Sequence, residues 1–137
     1  MSENELQAMG EAKLEALVEI MFLAASADGE FSTVERGLFL KTAETLTNGR
    51  LTTLRLAGWV DAAREALQRE GRPARLASAK ERLPDAGVRR VALSLAIQVT
   101  AADGVIQPSE RELIFQTAAA LEIDREQTAD LLRQLSR

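Results

Sequence analysis

The chain has 137 residues, 17 basic against 21 acidic for a net charge of -4, 46% apolar residues, and neither cysteine nor histidine. That length suits one domain around one core, and the missing residue types exclude disulfides, thiolate nucleophiles, Cys-ligated zinc and every mechanism that uses histidine as base or ligand. The apolar residues are mostly Ala and Leu, with one Trp, four Phe and no Tyr, a mixture that favours helices. In chain order, Leu14, Leu17, Val18, Met21, Phe22 and Ala25 recur at helical spacing and predict a core helix with one buried stripe, stopping near Asp28-Gly29. Ser32 and Glu35 read as a capping box opening a second helix, with Leu38, Phe39, Ala43 and Leu46 inward and a stop at Asn48-Gly49. A third helix is expected from about Thr52 to Glu70, with Leu56, Val60, Ala63 and Leu67 inward, Trp59 at the core edge and Gly71 closing it. Pro73 opens a shorter helix to about Leu83, and Pro84-Asp85 separates it from a long one built on Val88, Val91, Ala92, Leu95, Ala96 and Val99. Asp103-Gly104 ends that helix, and Pro108 starts the next, with Leu113, Ile114, Ala118 and Leu121 inward. Asp124 and Gln127 cap a terminal helix striped with Leu131, Leu132 and Leu135. No alternation of apolar and polar residues competes with this all-α reading.

A repeat organises these elements. Residues 20–46 align with residues 95–121 at a fixed offset of 75, with nine identities in 27 positions: Ala27/Ala102, Asp28/Asp103, Gly29/Gly104, Glu35/Glu110, Arg36/Arg111, Leu38/Leu113, Thr42/Thr117, Ala43/Ala118 and Leu46/Leu121. Two copies are too few for a solenoid. The expectation is a single domain over residues 1–137, a compact bundle of about six to eight helices with two pseudo-symmetric αα-hairpins. Each hairpin would pair two antiparallel helices, with Phe31 and Ile106 plugging the corners.

The repeated acids are the candidate chemistry. Asp28 and Glu35 in one copy, and Asp103 and Glu110 in the other, lie seven residues apart across a turn and the first turn of a helix, where two carboxylates can converge. Oxygen-rich sites of this kind hold hard divalent cations such as calcium, magnesium or manganese. The run from Asp28 to Glu35 matches the second half of an EF-hand loop, but the ligand positions of its first half would fall on Ala24 and Ser26, and on Val99 and Ala101 in the second copy. A site drawing Asp28, Glu35, Asp103 and Glu110 from both copies is the alternative. The same residues also suit purely architectural work, the acids as helix caps and Arg pairs, the glycines as left-handed turns. Catalysis is the least favoured use, because no phosphate-binding glycine loop, nucleophile elbow or further acid cluster accompanies them.

Charge is unevenly spread: residues 1–35 hold eight acids against Lys13, and residues 64–90 hold eight basic residues against four acids. The basic stretch reads as a solvated helix face with a short linker. Nucleic-acid binding is disfavoured, since no aromatic residue lies between Trp59 and Phe115 to stack on bases. The amino-terminal segment carries acids where a signal peptide needs basic residues, and no apolar run approaches the roughly 18 residues of a membrane span. A soluble cytoplasmic protein without direct membrane insertion is expected.

The order and spacing of the runs from Ala27 to Arg36 and from Ala102 to Leu121, with the closing stretch from Leu121 to Leu132, resemble the tellurite-resistance TerB-like family of small all-helical bacterial domains. The resemblance covers most of the chain, although residues 50–90 carry no signature of the family. It implies a fold of about seven helices and a role in resistance to tellurite, phage or other stress. It also implies metal binding by the motif acids Asp28, Glu35, Asp103 and Glu110, and partners among other stress-response proteins, with a membrane protein among them. The functional expectation is therefore a non-enzymatic interaction module; the alternative is a metal-dependent hydrolase using the same carboxylates.

Overall fold

Seven α-helices and no strand make up the described part of the computed structural model, which covers residues 10–26 and 31–135, with the side chain of Asp103 outside that description. They are α1 (Glu11–Ala25), α2 (Thr33–Leu46), α3 (Thr53–Glu70), α4 (Arg72–Arg82), α5 (Ala86–Thr100), α6 (Pro108–Ala120) and α7 (Arg125–Leu135), with a 3-10 turn at Ala101–Asp103. The stop foreseen near Asp28-Gly29 lies outside the described residues; the other predicted boundaries hold because local chemistry sets them. Ser32 accepts the Glu35 N–H at 3.1 Å while the Glu35 carboxylate accepts the Ser32 N–H at 2.8 Å, a complete capping box. Asp124 accepts the Gln127 N–H at 2.8 Å, and Asn48, Gly49, Gly71 and Gly104 take the positive φ that ends a helix or turns the chain. Asp85 caps α5 by accepting the N–H groups of Gly87 at 2.7 Å and Val88 at 3.2 Å. Asp85→Ala strands both donors, so thermal or urea unfolding should show a loss of about 1 kcal/mol, while Asp85→Asn keeps most of the cap.

The repeat survives in three dimensions as matched elements. Helices α1 and α5 begin and end at positions 75 apart, and so do the starts of α2 and α6. The packing is matched as well: α1 and α5 meet along the most extensive contact in the molecule, α1 packs on α6 as α5 packs on α2, and α3 covers α1 and α2 as α7 covers α5 and α6. The element without a counterpart is α4, which lies against α1, α3 and α6.

Two sequence expectations change. The single stripe foreseen for α1 is in fact burial on every side, from Leu14 through Ala24 with Glu15 alone exposed, because α3, α4, α5 and α6 surround the helix. Pairing of the two helices within a copy is realised by α5 and α6, whereas α2 packs chiefly on α3 and α5 rather than along α1. The corner is nevertheless plugged as expected: the Phe31 ring meets Phe22 of α1 edge-on at 5.6 Å and Phe39 of α2 at 5.4 Å. The positions equivalent to this aromatic trio are Ile97, Ile106 and Ile114, all buried or packed against the core, so one copy fills with rings what the other fills with branched aliphatics.

Candidate functional site

Where the two corners of the repeat face each other, the surface sinks into a small open depression of about 60 Å³ lined by Ala25, Phe31, Glu35, Leu38, Phe39, Val99, Thr100 and Glu110. Two pairs among these, Ala25 with Thr100 and Glu35 with Glu110, occupy equivalent positions of the two copies. The fold therefore brings together two of the four expected acids from opposite ends of the sequence. Asp28 lies outside the described residues. Asp103 ends the 3-10 turn next to Gly104, whose φ of +107° supplies the turn that glycine was expected to make there.

Both glutamates also do the architectural work foreseen for them. Glu35 accepts the Ser32 N–H, and Glu110 accepts the Gln107 N–H at 2.7 Å, so each carboxylate is held at the first turn of its helix. One such bond leaves most of a carboxylate's acceptor positions unused. Neither glutamate pairs with a cation among the described residues, since Arg36 reaches across to Asp61 at 2.9 Å on α3 instead of toward Glu35. Among the described residues no group of three or more acidic side chains gathers, so these two are the described carboxylates of the depression. Its lining mixes apolar Phe31 and Leu38, over the buried Phe39 and Val99, with Thr100 and the two glutamates, and Leu38, expected to point inward, is 39% exposed because α2 is covered by α3 and α5 on one side only. Val34, on the same helix as Leu38 and one turn before it, is 80% exposed, and Val105 on the second corner is 62% exposed.

A second constellation was not foreseen. Glu19, in the middle of the most buried helix, is held by a bidentate fork from Arg75, Nε to Oε2 at 2.7 Å and Nη2 to Oε1 at 2.9 Å, and by Arg82. The hydrogen bonds it donates to Glu19 hold the pKa of the Arg75 guanidinium above its ordinary value, against the opposing effect of its partial burial, so it is charged at every working pH. Arg72 donates to the Leu23 carbonyl and to the Ser26 carbonyl at 2.5 Å, closing the carboxyl end of α1, and Arg89 donates to the Leu83 carbonyl at 2.6 Å. The stretch expected to be a solvated basic face is thus largely turned inward, and Arg64, Arg69 and Arg90 are its exposed remainder. Two signals in the sequence mark this arrangement: one acid inside an otherwise apolar run, and arginines at helical spacing on a segment with few apolar residues. Trp59 sits at the core edge as expected, with the Arg55 guanidinium 5.1 Å from its ring.

A groove between α4 and α6 is lined by Arg72, Leu76, Lys80 and Ala120, but its cations are engaged, Arg72 on the α1 carbonyls and Lys80 on Glu122 at 3.2 Å. Of the two, the depression at the twin corners is the one whose charged side chains have no ion-pair partner among the described residues. No helix among the described residues is long and apolar enough to cross a membrane. Comparison of the chain with family models, with curated proteins and with solved structures finds no match.

Proposed function

We propose that this protein is a non-catalytic, cytoplasmic interaction module of the bacterial stress response, of the tellurite-resistance kind that its doubled motif resembles, and that the depression at the twin corners is its docking face. The observation that carries this reading is that Glu35 and Glu110, from equivalent positions of the repeat, line one partly apolar depression with no cationic partner among the described residues. Seven helices and the resemblance of the doubled corner to the TerB-like family support it. Its partners are other stress-response proteins, a membrane protein among them. Deleting the gene should sensitise the bacterium that carries it to tellurite, and a Glu35→Gln, Glu110→Gln protein, which keeps both caps because glutamine also serves at that position, should fail to restore growth. Full restoration by that variant removes the depression from the function.

A divalent cation at the same place is the second reading, favoured by the two carboxylates lining one depression; Asp28 and Asp103 would complete the oxygen set. Calcium, magnesium or manganese should then raise the melting temperature in proportion to the logarithm of its concentration above saturation, and Asp28→Asn with Asp103→Asn should abolish the rise. A melting curve unmoved by all three cations rejects this reading. Manganese-dependent phosphoester hydrolysis lost in Glu35→Gln would instead support the metal-dependent hydrolase.

A further inference from the structure

We infer that the partner received by the depression is a basic amphipathic helix, whose apolar side chains enter between α2 and α5 and whose Lys or Arg residues pair with Glu35 and Glu110. This rests on the reading of the depression as a docking face and adds the chemistry of what docks. Phe31 and Leu38 offer apolar surface above the buried Phe39 and Val99, the exposed Val34 and Leu38 extend it along α2 at the spacing of one helical turn, and Val105 lies on the opposite corner. A helix laid into an apolar groove places its own anchors at that spacing. Charge selects which helix. Glu35 and Glu110 stand at the edge without a cation among the described residues, and an incoming guanidinium can fork onto a carboxylate already oriented by its cap bond. The same two carboxylates, which have no ion-pair partner among the described residues, draw cationic segments and repel acidic ones. An anionic lipid surface is disfavoured on the same ground.

The test uses the whole chain, labelled with nitrogen-15 and titrated with a synthetic leucine–lysine amphipathic helix of about 14 residues, long enough to hold helical structure. A leucine–glutamate helix of the same length serves as counterpart. The lysine helix should move the amide resonances of residues 31–39 and 99–110. Glu35→Gln with Glu110→Gln should weaken it about tenfold or more, with a slower association and an unchanged melting temperature. Equal binding of the glutamate helix at the depression overturns the inference while leaving the docking face in place. Mapping of the lysine helix to a different face, or no saturable binding, overturns the inference, and mapping to a different face removes the docking face as well.

Discussion

Replacing Glu19 by Ala is expected to destabilise the protein by about 3–5 kcal/mol, the largest effect of any single charged residue among those described. The Glu19 side chain is 5% exposed, those of Arg75 and Arg82 are 17% and 28% exposed, and removal of the acid leaves Arg82 without its anion and Arg75 with only the more exposed Glu70, 3.2 Å away. Arg75→Ala should cost less, because Arg82 still neutralises Glu19. The network is also replaceable: Glu19→Met with Arg75→Leu and Arg82→Leu should recover most of the loss, since a buried ion cluster seldom outperforms apolar residues of similar volume. Guanidinium unfolding midpoints at constant slope measure all three. A Glu19→Ala midpoint shifted by less than about 1 kcal/mol equivalent would show that the cluster is neutral in this fold.

Phe22→Ala is expected to cost about 3–5 kcal/mol and to reach beyond the core. Phe22 has no exposed surface, and its ring is the one on which Phe31 stands edge-on. Its removal opens a cavity beneath the first corner, so the amide protons of Phe31 and Ser32 should exchange faster even under conditions where the bundle stays folded. Phe22→Leu should cost under about 1.5 kcal/mol, and at the equivalent position Ile97→Val about 0.5–1.5 kcal/mol. Exchange at the corner unchanged in Phe22→Ala would mean that Phe31 is held by Phe39 alone.

Most of the helix boundaries were legible because they are written in short-range chemistry. Ser32 with Glu35, Asp85, Pro108, Asp124, Gly71 and Gly104 each act within a few residues of themselves, so reading them requires no knowledge of the rest of the fold. Long-range features were legible only where the sequence repeats. The placing of Glu35 and Glu110 on one depression follows from matched halves that pack on each other through α1 and α5. The exposure of Leu38 does not, because it depends on α2 having neighbours on one side only. The burial of Glu19 escaped for a related reason. Periodicity reports a stripe, whereas α1 is enclosed on every side, and an acid that looks solvent-facing in projection is then inside. The same reading left the arginines of α4 outdoors, since nothing local distinguishes a guanidinium that salts a surface from one that closes another helix's carbonyls.

The mutual packing of α1 and α5 has a consequence for synthesis. About sixty residues separate the end of one from the start of the other, so during translation the most oily segment of the chain leaves the ribosome well before the surface that will cover it has been made. Closure of that long loop, rather than formation of any one helix, then sets the pace of maturation, and the waiting segment is where a chaperone would find its hold.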